Sequence, residues 1–122
     1  MQSPVRTLAD GIKPRFLENF PTSLSISESE VLEIEAKYEG KPEPSIKWYH
    51  DGVEVIENNN IKIIFDEKGG TSKLLIRKPK AGLDDGIYSC HIENEAGHAV
   101  EETIVNIDKH EVRTSLRSLF RL

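Results

Sequence analysis

A single cysteine, Cys90, stands among the 122 residues, so no disulfide can close within the chain. Nothing approaches the run of about 18 apolar residues that a membrane-spanning helix needs. The opening stretch, MQSPVRTLADGIKPR, has no apolar heart of the sort a secretory signal carries. Export and membrane insertion are therefore not expected from the residues present. There is no Asn-x-Ser/Thr acceptor for glycosylation. Aromatic residues make up 7% of the sequence and tryptophan occurs once, at Trp48, so a core must be organised around few large side chains. The four histidines, His50, His91, His98 and His110, fall at no metal-ligand spacing, and with one cysteine a structural zinc site is not expected. They read as surface or loop residues. EKGGTS places glycines near a lysine and a threonine, but without the spacing or the following helix that a phosphate cradle requires; a hairpin turn accounts for it.

What is present suits one compact domain: 37% hydrophobic and 30% charged residues in a chain too short for two ordinary ones. Eight glycines and six prolines, with clusters of Asn and Asp, punctuate the sequence and favour short strands with turns over long helices. Charge is unevenly spread. Residues 14–107 carry ten Lys/Arg against eighteen Asp/Glu, a net of −8, whereas residues 109–122 carry four against one, a net of +3. An acidic body repels phosphate backbones, which argues against duplex nucleic acid as a partner.

Alternation of period two marks the strands. In VLEIEAKYEG, Leu32, Ile34, Ala36 and Tyr38 alternate with Glu33, Glu35, Lys37 and Glu39, one dry face and one wet. Pro42 and Pro44 break the ladder; SIKWYH resumes it with Ile46 and Trp48 on one face. Asp51-Gly52 is a strong hairpin signal, with Val53 and Val55 beyond it. Turns at ENNN and DEKGG bound the strand IKIIF, and TSKLLIRK follows with Leu74 and Ile76 inward. GIYSCHIEN puts Tyr88, Cys90 and Ile92 on one face and Ile87, Ser89 and His91 on the other; AVEETIVNI closes the series. PRFLENFP and SLSISE read as an early strand pair. Seven to nine short strands indicate an antiparallel sandwich. Enzyme chemistry finds no foothold. Cys90 and His91 adjoin in sequence, but a strand sends neighbouring side chains to opposite faces, and a paired-carboxylate role for Asp84 and Asp85 rests on adjacency alone. No cofactor is expected.

Several of these segments together carry a family resemblance. PRF at the first strand, GKPEPSIKWY with Trp48, the DG after it, Leu74-x-Ile76, and Asp84-x-Gly86-x-Tyr88-x-Cys90 followed by NEAG resemble an immunoglobulin domain of the I-set type, as found in titin-like giant muscle proteins. The resemblance covers about residues 13–107. It implies an all-β, antiparallel Greek-key sandwich with a core of Ala36, Trp48, Leu74, Ile76, Tyr88 and Cys90, and a tyrosine corner in which Tyr88 bonds back to backbone near Asp84. It also implies an inter-sheet cystine, but Ala36 stands where the family has its first cysteine, twelve residues before Trp48. Cys90 is then a small buried hydrophobe. Closing that loop of about 54 residues would contribute roughly 4 kcal/mol in the chain-entropy treatment. Packing around Trp48 must do without it. A reducing compartment, the cytoplasm with its sarcomere or cytoskeleton, is the expected home.

Two stretches are candidates for binding. The first is KLLIRKPK, where Lys73, Arg77, Lys78 and Lys80 concentrate positive charge on an acidic body; by resemblance such a patch suggests acidic filaments such as actin, and a solvated strand edge accounts for it as well. The second is residues 108–122. Val112, Leu116, Leu119 and Phe120 recur at helical spacing, while Arg113, Arg117 and Arg121 line an adjacent face. Asp108 with Glu111 fits a helix start. So short a helix is marginal alone, and it reads as a linker, as a docking helix against protein, or as a membrane or calmodulin-type ligand. The organisation is thus a linker (1–12), the sandwich (13–107) and a tail (108–122) forming a short amphipathic helix or extended segment. The expected role is a non-enzymatic, monomeric scaffold and interaction module inside the cell. An extracellular adhesion or receptor domain that has lost its cystine is the alternative.

Overall fold

Alternation along Leu32–Tyr38 builds the spine of one sheet. In a computed structural model, which describes residues 11–109, nine strands run in order: β1 (Ile12–Phe16), β2 (Ser23–Ser27), β3 (Leu32–Lys41), β4 (Ser45–His50), β5 (Val53–Glu54), β6 (Ile61–Asp66), β7 (Thr71–Ile76), β8 (Gly86–Asn94) and β9 (Gly97–Asp108). They form two sheets, β1-β3-β7-β6 and β2-β9-β8-β4-β5. There is no helix among the described residues. The strands begin at Ile12 and end at Asp108, so the residue read as a helix start still belongs to β9.

The two early strands do not pair with each other. β1 joins β3 antiparallel in one sheet, and β2 crosses to the other, where it lies parallel to β9 from Ser23↔Ile104 to Ser27↔Asp108. That is the one parallel pair among the described strands; every other ladder is antiparallel. Hydrogen bonds extend it at both ends, from Ile104 N–H to Thr22 O (3.1 Å) and from Glu28 N–H to Asp108 O (2.9 Å). Leu17 N–H still bonds Lys37 O at 2.8 Å, and the chain bends at residues 17–18 before it crosses to the other sheet. The turn Asp51-Gly52 behaves as its sequence dictates. Asp51 (φ 50°) and Gly52 (φ 83°) both take left-handed backbone, joining β4 to β5 through a two-residue loop.

Inward residues of both sheets form one core. Leu32, Ile34, Ala36, Tyr38, Trp48, Leu74, Ile76, Tyr88, Cys90, Ile92, Val105 and Ile107 are buried, with Phe20 stacked on the Trp48 ring at 5.9 Å between centroids. Register places Ala36 beside Ser72 in one sheet and Trp48 beside Cys90 in the other. Between these two pairs the indole N–H of Trp48 donates to Ser72 Oγ at 2.9 Å, a buried hydrogen bond from layer to layer. Cys90 is a free thiol, wholly buried, and burial pushes its pKa up to about 12. It is protonated and inert at neutral pH, and His91 lies exposed on the outer face, its ring 4.5 Å from that of Tyr49.

Removing the Ser72 hydroxyl strands a buried donor. Ser72→Ala is expected to cost about 1–3 kcal/mol in urea unfolding, against about 3–5 kcal/mol for Trp48→Ala. In a Trp48→Phe background, which has no donor, the Ser72→Ala penalty should shrink; an equal penalty in both backgrounds shows that the bond does not tie the layers.

Candidate functional site

After Ile76 the chain leaves β7 as a loop that the surrounding backbone holds open. Arg77 N–H donates to Asn60 O at 2.9 Å, while the Asn60 side chain bonds Lys78 at both ends of its backbone, accepting from N–H at 2.8 Å and donating to O at 3.3 Å. Pro79 is fully buried and pins the loop, so its neighbours Lys78 and Lys80 are driven outward. The Asp84 carboxylate accepts from Lys80 N–H at 2.8 Å and closes the far side. Arg77, Lys78 and Lys80 are all exposed. They line two shallow clefts, one of about 410 Å³ shared with Asn59 and Asn60, the other of about 480 Å³ shared with Glu28, Ser29 and Pro79.

Lys73 does not join them. It lies on the outer face of β7, paired with Glu33 of β3 at 2.9 Å, and that hydrogen bond raises its pKa. The basic cluster is therefore three residues on a loop, and the fourth is neutralised across a strand pair. Val112, Arg113, Leu116, Arg117, Leu119 and Phe120 lie outside the described residues.

The loop is anchored to the end of β9 through the corner beneath it. Tyr88 O–H donates to Asp84 O at 2.6 Å, with burial holding the phenol well above its ordinary pKa. The Asp85 carboxylate accepts from Ile107 N–H at 2.8 Å and from Gly82 N–H. His50 is not a bystander: it meets Asp85 O at 2.7 Å and stacks on Tyr88 with centroids 4.3 Å apart. Glycine is required at position 86, where φ is 132° and a Cβ would come within 2.6 Å of the Asp51 carboxylate that accepts from Ile87 N–H.

Sequence reading missed Asn60, Ser72 and the carboxylates of Asp51 and Asp85. The Asn run at positions 58–60 signalled a turn, but its surplus of side-chain acceptors also foretold backbone clamps of this kind. Among the described residues no group of three or more His, Cys, Asp or Glu is placed to hold a metal ion.

The bond from Ile107 holds the Asp85 carboxyl below its ordinary value of 3.8. A depressed carboxylate stabilises the fold while ionised, above its unfolded pKa, and the contribution is lost as pH falls through the folded value. Asp85→Asn should thus lower thermal stability at neutral pH. The gap to wild type should narrow as pH drops below about 4 in parallel melts; a pH-independent gap contradicts this role.

Comparison with known proteins agrees with this architecture. The family model for the immunoglobulin I-set domain matches residues 14–107. The chain is 33% identical over 102 residues to smooth muscle myosin light chain kinase of Gallus gallus, covering 84% of this chain and 5% of that protein. It is also 33% identical over 104 residues to netrin receptor DCC of Rattus norvegicus, covering 85% of this chain and 7% of the receptor. A solved I-band fragment of titin, I67-I69, superposes with a TM-score of 0.73 at 28% identity, over 80% of this chain and 33% of that one. The chain thus spans a small fraction of these relatives and corresponds to one structural or interaction module within them. With its paired sheets, buried tryptophan, tyrosine corner and family match over residues 14–107, this chain belongs to the immunoglobulin I-set family.

Proposed function

We propose that this domain is a non-enzymatic spacing and docking module of an intracellular muscle or cytoskeletal scaffold protein. The observation that carries the reading is the parallel pairing of β2 with β9. The chain passes from β1 into the start of β2 and leaves from the end of β9, at the opposite end of that ladder. Tension between its two ends therefore loads the ladder in shear, and its bonds must rupture together before the core opens. Similarity to titin and to myosin light chain kinase supports a place in muscle. Ala36 in place of the family's cysteine supports a reducing compartment, since the core closes through Trp48 and Ser72 without a cross-link. Docking falls to Arg77, Lys78 and Lys80, held outward on a rigid loop and suited to an acidic filament. A second reading, an extracellular receptor or adhesion domain, draws on the similarity to DCC. A signal peptide or membrane span in the full-length protein decides for it.

Glu28 N–H and Thr22 O both face β9, and along a strand such groups alternate. Leu24 N–H therefore points to β9 and Ser25 N–H away from it. Leu24→Pro should remove a ladder bond worth about 1 kcal/mol and lower the unfolding force in single-molecule pulling, whereas Ser25→Pro should leave it near wild type. Equal forces for all three chains exclude the ladder as the mechanical element. Separately, the wild-type chain should co-sediment with filamentous actin, less so as salt rises, and Lys78→Glu with Lys80→Glu should abolish it; unchanged sedimentation removes the basic loop from the docking role.

A further inference from the structure

The side of the sandwich between β4 and β6 is open. β5 is two residues long and pairs with Tyr49 and His50, and Val55 N–H reaches Trp48 O just beyond it, so β4 is uncovered on that side from Ser45 to Lys47. On the other sheet β6 is the edge strand. Its outward N–H groups are capped in the first half, Ile61 by Asn58 Oδ1 at 2.8 Å and Ile63 by Glu57 Oε2 at 2.7 Å, which leaves the half around Phe65 accessible. Between the two edges runs a groove of about 510 Å³, walled by Pro44, Ile46, Ile63 and Phe65 and rimmed by Glu43 and Glu67. Phe65 is 48% exposed, a large apolar surface without a cover.

The rim is acidic and unanswered. Glu43 and Glu67 make no ion pair among the described residues. Beside them an adjoining cavity of about 250 Å³ is lined by Tyr38 and Glu39 together with the same two carboxylates. Tyr38 is 3% exposed, yet its hydroxyl has no hydrogen-bond partner. Burial first, and then the neighbouring charges of Glu43, Glu67 and Asp66, push its pKa up to about 12. It stays a donor at neutral pH. A fitting occupant carries apolar side chains for the walls, cations for the rim, and an acceptor for Tyr38.

Residues 112–121 of this chain, VRTSLRSLFR, have that composition, with Arg113, Arg117 and Arg121 among Val112, Leu116, Leu119 and Phe120. Geometry decides whether the segment is a chain's own. Ser45 lies opposite Glu93, and Glu93 opposite His98, so the groove is level with the start of β9 while the tail departs from Asp108. That is about 33 Å along the strand at roughly 3.3 Å per residue, before crossing β8 and β4. Arg113 and Arg117 follow Asp108 by five and nine residues, a reach of at most about 17 and 31 Å when fully extended. Arg113 falls short of its own groove even with its side chain extended, so Arg113 and Arg117 can seat there together only on another copy.

We propose that the basic tail of one copy docks in the β4–β6 groove of a second copy, with its arginines on Glu43 and Glu67 and its apolar side chains on Ile46, Ile63 and Phe65. The contact is head to tail and joins different surfaces. It departs from the monomer expected of the sequence. Association measurements report on it independently of the pulling and filament assays above.

Sedimentation of the full chain across a micromolar to millimolar series tests it. The average mass should rise above the 13.8 kDa monomer with concentration and return to it at high salt. Glu43→Lys with Glu67→Lys should lose association, as should Arg113→Glu with Arg117→Glu, and an equimolar mixture of the two charge-reversed chains should recover it. Recovery in the mixture also shows that both variants remain folded. A monomer at every concentration, or association that survives both reversals, overturns the proposal.

Discussion

One hydrogen bond, from the Trp48 indole to Ser72 Oγ, stands at the level where related domains carry a covalent link between their sheets. Its neighbours on either side are the residues of the absent cystine, Ala36 next to Ser72 and Cys90 next to Trp48. The exchange is coherent. A small alanine and a protonated thiol pack without polar demand, and the indole N–H beside them finds its acceptor on the opposite layer. A buried indole N–H without a partner costs about as much as the bond returns. The tryptophan and the serine therefore depend on one another, and Phe20 completes the enclosure.

From that centre the rest of the molecule is laid out by pole. At one end, where β9 ends, the corner of Asp84, Asp85, His50 and Tyr88 fixes the loop that displays Arg77, Lys78 and Lys80. At the other lie Glu43 and Glu67, the uncommitted Tyr38 hydroxyl and the groove beside them. The body has a net acidic charge, with the exposed cations Arg77, Lys78 and Lys80 grouped on a loop at one end and the carboxylates of Glu43 and Glu67 at the other.

Much of this was legible in the sequence wherever the cause is local. The alternation of Leu32 to Tyr38 gives β3 its two faces, Asp51-Gly52 gives a turn that needs left-handed backbone at both positions, and Asp84-x-Gly86-x-Tyr88 gives the corner. What could not be read is set by distant partners. SLSIS has the same strand character whether it lies against β1 or β9, and only closure of the whole sandwich selects the parallel neighbour. Lys73 belongs to a basic run along the chain and to an ion pair in space, because Glu33 is its cross-strand neighbour's neighbour rather than a sequence neighbour. Ser72 and Asn60 are ordinary polar residues in one dimension; their importance comes from a donor elsewhere that has no other acceptor. The amphipathic period of residues 112–120 lies outside the described residues.

The capping of β6 bears on how the domain meets other β-sheet proteins. Where many similar sandwiches are strung together, each edge strand is a template on which a neighbour's unfolded segment could crystallise into fibrous sheet. By occupying the amides of Ile61 and Ile63, Asn58 and Glu57 deny that template its first rungs. A foreign strand laid against β6 would find those two amides already taken and would have to displace both side chains to begin a ladder.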